Sequence, residues 1–284
     1  MKKHLALLLL ISMIFFANAQ SLKVVKVDNV NEFLDAIGSN KIIQLQGSPI
    51  MLSNVSPKKI GKNYRYSQEY DGHELVIFGV YNLKIVGVST LPVKIITKPL
   101  YGDVIVFENC NNITIENVDA GHSPEKGQCT GGVFNFLNSK YITINNSIMY
   151  GSGIEGITAE NVTKLTCNNS IIKECTYSIM SLQNCKQFEF NNCEFKNNQE
   201  FDLIKINNCK EIKYNLCLFS NNKTGNEQYD EYSLFNVVES SLVQLKNCII
   251  INNTVPYFCN DENALEIKET ELKNNIFTKG KFKN

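Results

Sequence analysis

Arginine is almost absent from this chain, and its charges balance. Arg65 is the only arginine, and 28 basic residues stand against 28 acidic ones. A guanidinium is the usual group for bidentate capture of carboxylates and phosphates, and a chain without net charge has no long-range attraction for polyanions. The composition therefore gives no support for a nucleic-acid partner. It only weakly disfavours a polyanionic substrate, since charge can be local.

Metal-binding cysteine motifs are missing too. The ten cysteines include no C-x-x-C pair, and none lies near a histidine at the spacing of zinc ligands. No apolar run after Phe16 is long enough to cross a bilayer. We therefore predict no cofactor, no metal site and no membrane span.

The first residues have the pattern of a secretory signal peptide. Lys2 and Lys3 precede an apolar run that ends at Phe16, and Ala-Asn-Ala at 17–19 is an A-x-A cleavage site. The alternative, a membrane anchor, would need a longer apolar run. We predict that residues 1–19 are removed and that the protein is secreted or lies in the periplasm or cell envelope.

Residues 20–74 are predicted to form an N-terminal cap and a first irregular coil. Asn29 is placed to cap a short helix whose apolar stripe begins at Val30 and Phe33. Such a helix would cover the open end of a stacked-sheet protein, which otherwise exposes apolar surface and unpaired backbone groups. The polar, aromatic-rich stretch 58–74 is predicted to be a solvated loop, with a binding loop as the alternative.

Residues 75–284 repeat with a basic step of about 23 residues. Each repeat carries pairs of apolar residues two positions apart, as short strands with one buried face do. Asparagine recurs four positions before an anchor residue, where it suits a left-handed corner. The anchors are Leu83, Ile113, Ile142, Leu165, Phe188, Ile212, Val243 and Leu265. The pattern predicts an all-β fold, a single-stranded right-handed parallel β-helix of about eight coils with a small N-terminal capping helix.

The repeat assigns most of the cysteines to the core. Two columns of the repeat consist of Cys193, Cys217 and Cys248, and of Cys110, Cys185 and Cys209. Stacked coils place such residues about 4.8 Å apart, but their parallel side-chain vectors are poorly placed to bridge. We predict buried thiols that pack as small hydrophobes. Cys129 and Cys175 fall in variable loops and are better candidates for a disulfide.

Loops longer than the minimal coil all follow the same strand and should protrude along one edge. The extra segments are 91–104, 121–133 and 220–234. Because the first three coils adjoin, 98–103 and 121–132 should stack with 150–156 into one surface. The predicted ligand-binding residues of this edge are Asp103, His122, Glu125, Lys126, Tyr150 and Glu155.

The same edge offers candidates for catalysis, namely His122, Lys126, Glu155 and Asp119. A lysine or histidine base with carboxylate partners suits proton abstraction next to a uronate carboxyl, and paired carboxylates suit glycoside hydrolysis. The alternative is structural: His122 and Glu125 would hydrogen-bond the backbone of their own loop, and the glycines would only permit close packing of the coils.

Several segments resemble a known family. They are Asp71-Gly72-His73-Glu74-Leu75, Asn82-Leu83-Lys84-Ile85-Val86-Gly87, Ala120-Gly121-His122-Ser123-Pro124, Cys129-Thr130-Gly131-Gly132-Val133, Tyr150-Gly151-Ser152-Gly153 and Glu174-Cys175-Thr176-Tyr177-Ser178-Ile179-Met180. Over most of the mature chain this pattern is similar to bacterial secreted right-handed β-helix repeat proteins of the pectin-lyase-like superfamily. The resemblance implies the fold and no established activity. Leu100 replaces an arginine of that pattern, which removes an anion-binding candidate, and Ser152 replaces a cysteine, which weakens a disulfide for Cys129.

We therefore expect a protein that recognises a carbohydrate, namely a polysaccharide segment, along the edge of the first three coils. The spacing of stacked strands, about 4.8 Å, is close to the rise of a sugar unit in an extended glycan, an argument that rests on the fold alone. A polysaccharide lyase or glycoside hydrolase is the alternative. A structural or adhesive envelope protein without catalysis is a third possibility.

Overall fold

Each repeat folds into short strands, because apolar residues alternate with polar ones and an asparagine ends the alternating run. The computed structural model describes residues 21–123, 131–151, 153–225 and 231–282. Strands of successive repeats pair in parallel and build three long sheets and one short sheet. The described chain is therefore a parallel β-helix, as the repeat predicts.

Sheet 1 contains the anchor residues. Its strands are Lys23–Val27, Lys41–Leu45, Tyr81–Gly87, Asn111–Glu116, Lys140–Asn145, Thr163–Asn168, Lys186–Asn191, Lys210–Asn215, Val243–Lys246 and Leu265–Lys268. Ile113 pairs with Leu83 on one side and Ile142 on the other, and Leu165 and Phe188 follow in the same register. The predicted column of anchors is confirmed.

Sheet 2 follows sheet 1 in each coil. Its strands are Ile50–Met51, Val93–Thr97, Val118–His122, Ile148–Tyr150, Ile171–Lys173, Glu194–Lys196, Leu218–Ser220, Ile249–Ile251 and Glu271–Lys273. The strand Val93–Thr97 lies within 91–104, so the prediction that this whole range is an insertion was wrong. Val93 and Ile95 are buried and in register with Val118 and Ala120, which leaves 98–103 as the protruding part.

Sheet 3 follows the insertions and precedes the next strand of sheet 1. Its strands are Tyr64–Glu69, Gly72–Phe78, Ile105–Glu108, Phe134–Leu137, Ile157–Glu160, Met180–Gln183, Ile204–Asn207, Ser233–Val238 and Tyr257–Cys259. The first two strands form an antiparallel hairpin, so the prediction of a solvated loop over 58–74 was wrong. Tyr64 is buried, and the Tyr66 hydroxyl donates to the Leu52 carbonyl at 3.1 Å.

The remaining regular elements are short. Sheet 4 consists of Gln199–Glu200, Lys223–Thr224, Thr254–Val255 and Ile276–Phe277, and two 3-10 turns span Leu52–Asn54 and Glu262–Ala264. The predicted helix, α1, spans Val30–Ala36. Asn29 Oδ1 accepts the Glu32 amide at 3.0 Å, and Phe33 and Leu34 are buried.

Asparagines hold the corner before sheet 1 in the left-handed conformation. The backbone φ is 49° at Asn138, 54° at Asn161 and 53° at Asn184. Their side chains also join: Asn161 Nδ2 donates to Asn138 Oδ1 at 3.0 Å, and Asn184 Nδ2 donates to Asn161 Oδ1 at 3.2 Å. Asparagine adopts this backbone at lower cost than most residues, so the predicted role of the column is confirmed.

Buried thiols fill part of the core, as the repeat predicts. Cysteines that the structure describes as buried thiols are Cys110, Cys167, Cys175, Cys185, Cys193, Cys209, Cys217, Cys248 and Cys259. The Cys185 amide donates to Cys209 Sγ at 3.3 Å. Burial raises the pKa of Cys110 to about 11. Cys175 does not form the disulfide that its loop position suggested, and Cys129 lies outside the described residues.

A second asparagine column is fully buried. Asn198 Nδ2 donates to Asn222 Oδ1 at 3.0 Å, Asn222 Nδ2 donates to Asn253 Oδ1 at 2.9 Å, and Asn253 Nδ2 donates to Asn275 Oδ1 at 2.9 Å. Asn222 Nδ2 also donates to the Phe195 carbonyl at 2.9 Å. Each amide therefore satisfies buried groups of two neighbouring coils.

Replacing Asn222 by alanine should destabilise the protein strongly. The Asn222→Ala variant leaves the Phe195 carbonyl and the Asn198 amides without these partners, and each buried unsatisfied group costs about 1–3 kcal/mol. We expect the free energy of unfolding in urea to fall by about 2 kcal/mol or more. Asn207→Ala, on an exposed strand position, should change it by less than about 0.5 kcal/mol. Equal effects of the two substitutions would contradict the buried column.

Candidate functional site

The three edge segments predicted from the repeat lie side by side. The Gly131 amide donates to the Leu100 carbonyl at 3.0 Å, the Gly153 amide donates to the Gly131 carbonyl at 3.0 Å, and the Val133 amide donates to the Glu155 carbonyl at 2.9 Å. A Cβ atom on Gly131 would overlap the Gly102 carbonyl oxygen. Glycine is therefore required for the coils to approach this closely.

Asp103 connects three consecutive coils at this edge. Its Oδ1 accepts the Gly132 amide at 2.6 Å, and its Oδ2 accepts Asn135 Nδ2 at 2.8 Å. Its own amide donates to Glu74 Oε2 at 2.9 Å. Asp103 therefore bridges the coil of Glu74 below and the coil of Gly132 above.

Glu74 and Asp103 both have raised pKa values. Burial, followed by the charge of Asp103, raises the pKa of Glu74 to about 7. Burial also raises the pKa of Asp103 to about 6, although the hydrogen bonds from Asn135 and Gly132 oppose the shift. Both carboxyl groups therefore change their protonation state near neutral pH.

Glu155 is almost fully buried in the next coil. Its Oε1 lies 2.6 Å from Lys205 Nζ, and its side chain also accepts a hydrogen bond from Thr158. Burial raises the pKa of Glu155, and the positive charge of Lys205 opposes this shift. Since Lys205 belongs to a strand two coils further on, this ion pair runs along the outside of sheet 3.

Asp202 repeats the arrangement of Asp103. Its Oδ1 accepts the Ser233 amide and hydroxyl, each at 2.7 Å, and its Oδ2 accepts Asn236 Nδ2 at 2.8 Å. Asp103, Glu155 and Asp202 all stand two positions before the first inward residue of a sheet 3 strand. They form one column, which we call the acidic column.

The outer face of sheet 3 adjoins the acidic column. Its half-buried polar residues lie between the two inward residues of successive strands: Asn135, Thr158, Ser181, Lys205 and Asn236. Together, the column and this face present amide, hydroxyl, ammonium and carboxylate groups on rigid strands. Such groups suit hydrogen bonding to a polyhydroxylated ligand.

His122 lies inside the edge rather than on its surface. Its side chain is fully buried, and Nε2 lies 2.9 Å from the Gly102 carbonyl oxygen. A carbonyl only accepts, so Nε2 carries the proton. Within the described residues, Nδ1 has no hydrogen-bond partner. Burial lowers the pKa of His122, so the ring is neutral at pH 7. The role is structural, but the partner is the backbone of the neighbouring segment 98–103, whereas the structural alternative expected the backbone of the loop that contains His122.

The other predicted site residues are dispersed. Asp119 lies in sheet 2, in register with Lys94 and Ile148. Tyr150 is buried, and its ring occupies the space that a Cβ on Gly121 would need.

Of the seven different residues predicted for binding or catalysis, the structure brings Asp103 and Glu155 into one column. Glu125 and Lys126 fall outside the described residues. Among those described, no group of three or more His, Cys, Asp or Glu side chains is arranged to hold a metal.

Seven residues of the site were not predicted, namely Glu74, Asn135, Thr158, Ser181, Asp202, Lys205 and Asn236. Glu74 lies in the strand Gly72–Phe78, one position before Leu75, and Asp202 occupies the position of Asp103 in a later coil. The other five occupy the position between the paired apolar residues of sheet 3, which the period-two pattern directs outward. The repeat therefore contained a signal for them, although the ion pair of Lys205 with Glu155 two coils away required the coordinates.

The fold is similar to that of a solved pectate lyase structure. No family model and no curated protein matches the chain. A pectate lyase (pelN) from Paenibacillus sp. 0602 is similar with a TM-score of 0.61 and 10% identity, covering 91% of this chain and 79% of that chain. The adhesin PfbA of Streptococcus pneumoniae matches at a TM-score of 0.36 and 10% identity, covering 90% of this chain and 86% of that chain.

In fold, the chain is a right-handed parallel β-helix protein of the pectate lyase type. No helix among the described residues has the length and apolar character needed to cross a membrane.

The raised pKa of Glu74 should make stability depend on pH. The pKa is about 7 in the folded protein against an ordinary 4.5, so the folded state binds more protons between these values. Stability should therefore fall as pH rises from about 4.5 through about 7. Glu74→Gln removes this titration, so its thermal midpoint should change less over this range than that of the wild type.

Glu160→Gln is the matched control, because Glu160 lies on an exposed position of sheet 3. Its thermal midpoint should follow the wild-type pH dependence. If Glu74→Gln also followed the wild type from about pH 4.5 to about pH 8, the pKa of Glu74 would not be raised by folding.

Proposed function

We propose that this protein is exported and recognises a carbohydrate, namely a polysaccharide segment, along the acidic column and the outer face of sheet 3. The observation that carries the proposal is the position of Asp103, which joins Glu74 of the preceding coil to Gly132 and Asn135 of the following coil in one rigid polar surface. Hydrogen-bonding groups that are held by strands need little reordering when a ligand binds.

The repeat of the fold also suits an extended glycan. Parallel strands place equivalent side chains about 4.8 Å apart, and the acidic column presents Asp103, Glu155 and Asp202 on separate coils. A chain of sugar units with a similar rise would meet a carboxyl group of the column at every second coil and a polar residue of the outer face, such as Asn135 or Thr158, at each coil. The name of the similar pectate lyase agrees with a carbohydrate ligand.

A bulky side chain on the outer face of sheet 3 should weaken this recognition. Ser181 lies at the middle of the face and points outward between buried Met180 and Leu182. Ser181→Leu fills the face without altering the core, so we expect at least a roughly tenfold weaker Kd for any glycan that the wild type binds. Glycan-array binding followed by calorimetry measures the effect.

Thr143→Leu is the matched control, because Thr143 points outward from sheet 1 between buried Ile142 and Ile144. Its affinity should equal that of the wild type. The assigned face would be incorrect if Thr143→Leu weakened binding as much as Ser181→Leu. If no glycan bound to the wild type, carbohydrate recognition itself would be refuted.

A second candidate function is glycoside hydrolysis, which the carboxyl pair favours. A general acid must hold its proton near the working pH, and the pKa of Glu74, about 7, meets this condition. Asp103, with a pKa of about 6, is the adjacent group for the complementary role. Hydrolysis would release new reducing ends without an absorbing unsaturated product, whereas lyase chemistry would produce that chromophore.

If the protein is a hydrolase, Glu74→Gln should lose turnover and keep binding. Glutamine retains an oxygen that can accept the Asp103 amide but supplies no acidic proton. We expect a fall in kcat of about 100-fold or more with little change in KM, measured by reducing-end release. An unchanged kcat would show that Glu74 takes no part in the reaction.

A further inference from the structure

A cavity of about 280 Å³ lies between the first hairpin, strands Tyr64–Glu69 and Gly72–Phe78, and the segment 52–57. Its apolar lining includes Leu52, Val55 and Pro99, and its polar lining includes Asp71, His73 and Lys98. Among the described residues that line it, none belongs to the acidic column or to the polar residues on the outer face of sheet 3. The cavity is therefore separate from the surface that we assign to the glycan.

Contacts on two sides hold the walls of this cavity in place. The Tyr66 hydroxyl donates to the Leu52 carbonyl at 3.1 Å and joins the hairpin to the first 3-10 turn. A Cβ atom on Gly72 would lie 2.5 Å from Pro99 Cγ, so the hairpin packs directly against the segment 98–103. The cavity is thus preformed, as sites for small molecules usually are.

The polar residues of the cavity carry opposite charges that do not neutralise each other. Asp71 accepts the Leu100 amide at 2.6 Å and the Tyr101 amide at 3.2 Å, which fixes its carboxylate at the tip of the hairpin. Within the described part of the chain, the ammonium of Lys98 forms no ion pair with Asp71 or with any other carboxylate, and the His73 ring has no hydrogen-bond partner. Both signs of charge are therefore available to a bound molecule.

A small molecule that carries both charges beside an apolar group matches this lining. The volume is just below the range of about 300–1,000 Å³ for pockets that hold drug-sized ligands, so the ligand has few atoms. An α-amino acid with an apolar side chain has a carboxylate and an ammonium on one carbon. Its carboxylate would accept hydrogen bonds from Lys98 and His73, and its ammonium would donate to Asp71. Its side chain would pack against Leu52 and Val55.

Ligands with a single charge match the cavity less well. A carboxylate without an ammonium would meet the negative charge of Asp71, and an amine without a carboxylate would meet the positive charge of Lys98. We propose that this cavity binds a free α-amino acid with an apolar side chain. The site goes beyond carbohydrate recognition and gives the hairpin within 58–74 a binding role.

Ligands that differ in one charged group test this site. The full chain is titrated by calorimetry with valine, leucine and phenylalanine, and the tightest of these is compared with the carboxylic acid that lacks its ammonium and with the amine that lacks its carboxylate. We expect the amino acid to bind about fivefold or more tightly than either analogue. An analogue that binds as tightly as the amino acid would overturn the two-charge site. If none of the three amino acids bound, the whole proposal would fail, while the glycan surface would be unaffected.

Substitutions in the cavity test which group each residue contacts. Lys98→Met keeps the apolar stem and removes the ammonium, so it should weaken binding of both the amino acid and the ammonium-free acid by about fivefold or more. Asp71→Asn keeps an oxygen that can accept a backbone amide, and it should weaken binding of the amino acid only. Lys94→Met is the matched control, because Lys94 is exposed on sheet 2 and does not line the cavity. Its Kd should equal that of the wild type.

The two cavity variants also give the results that would overturn the proposal. Wild-type affinity of Lys98→Met for the amino acid would contradict the carboxylate contact. Equal losses for the amino acid and the ammonium-free acid in Asp71→Asn, at an unchanged thermal midpoint, would contradict the ammonium contact. Because Lys98 is exposed, Lys98→Met tests the site even if Asp71→Asn lowers the thermal midpoint.

Discussion

The whole structure depends on the register between stacked coils. Each inward side chain must pack on its equivalent in the next coil, as Phe190 does on Tyr214 with ring centroids 4.8 Å apart, because a shift of one residue would turn the apolar face outward. The same register fixes every outward residue. Columns of polar side chains on the surface are therefore as regular as the core that carries them, and the acidic column is one of them.

Stacking also explains the unusual electrostatics of the site. A carboxylate at a coil corner can hold the amide of the next coil, as Asp103 holds Gly132 and Asp202 holds Ser233. At Asp103, this position removes the carboxylate from water and brings it near the negative charge of Glu155. Both effects favour the protonated form. The raised pKa values of Glu74 and Asp103 therefore follow from the same hydrogen bonds that join successive coils. A ligand bound at this edge would contact carboxyl groups with these raised pKa values.

The sequence predicted the structural features that recur in successive coils. The anchors, the left-handed asparagines and the buried thiols all follow from one period, and the structure confirms them. The hairpin containing Tyr64 was missed because it occurs once and pairs antiparallel. His122 was predicted at a surface because the range 121–133 was taken as a protruding insertion. The strand Val118–His122 instead extends into this range and directs the side chain into the protein. Glu74 was missed because its hydrogen bond with the Asp103 amide and the effect of Asp103 on its pKa are contacts between coils, which no local pattern encodes.

The position of a bound ligand tests this account most directly. The measurement is a crystal structure of the protein with the tightest-binding oligosaccharide. The account predicts sugar rings along the outer face of sheet 3, one of them within hydrogen-bond distance of Asp103 or Asn135. Sugar density on the outer face of sheet 1, or in the cavity of about 280 Å³ between Tyr66, His73 and Lys98, would contradict it.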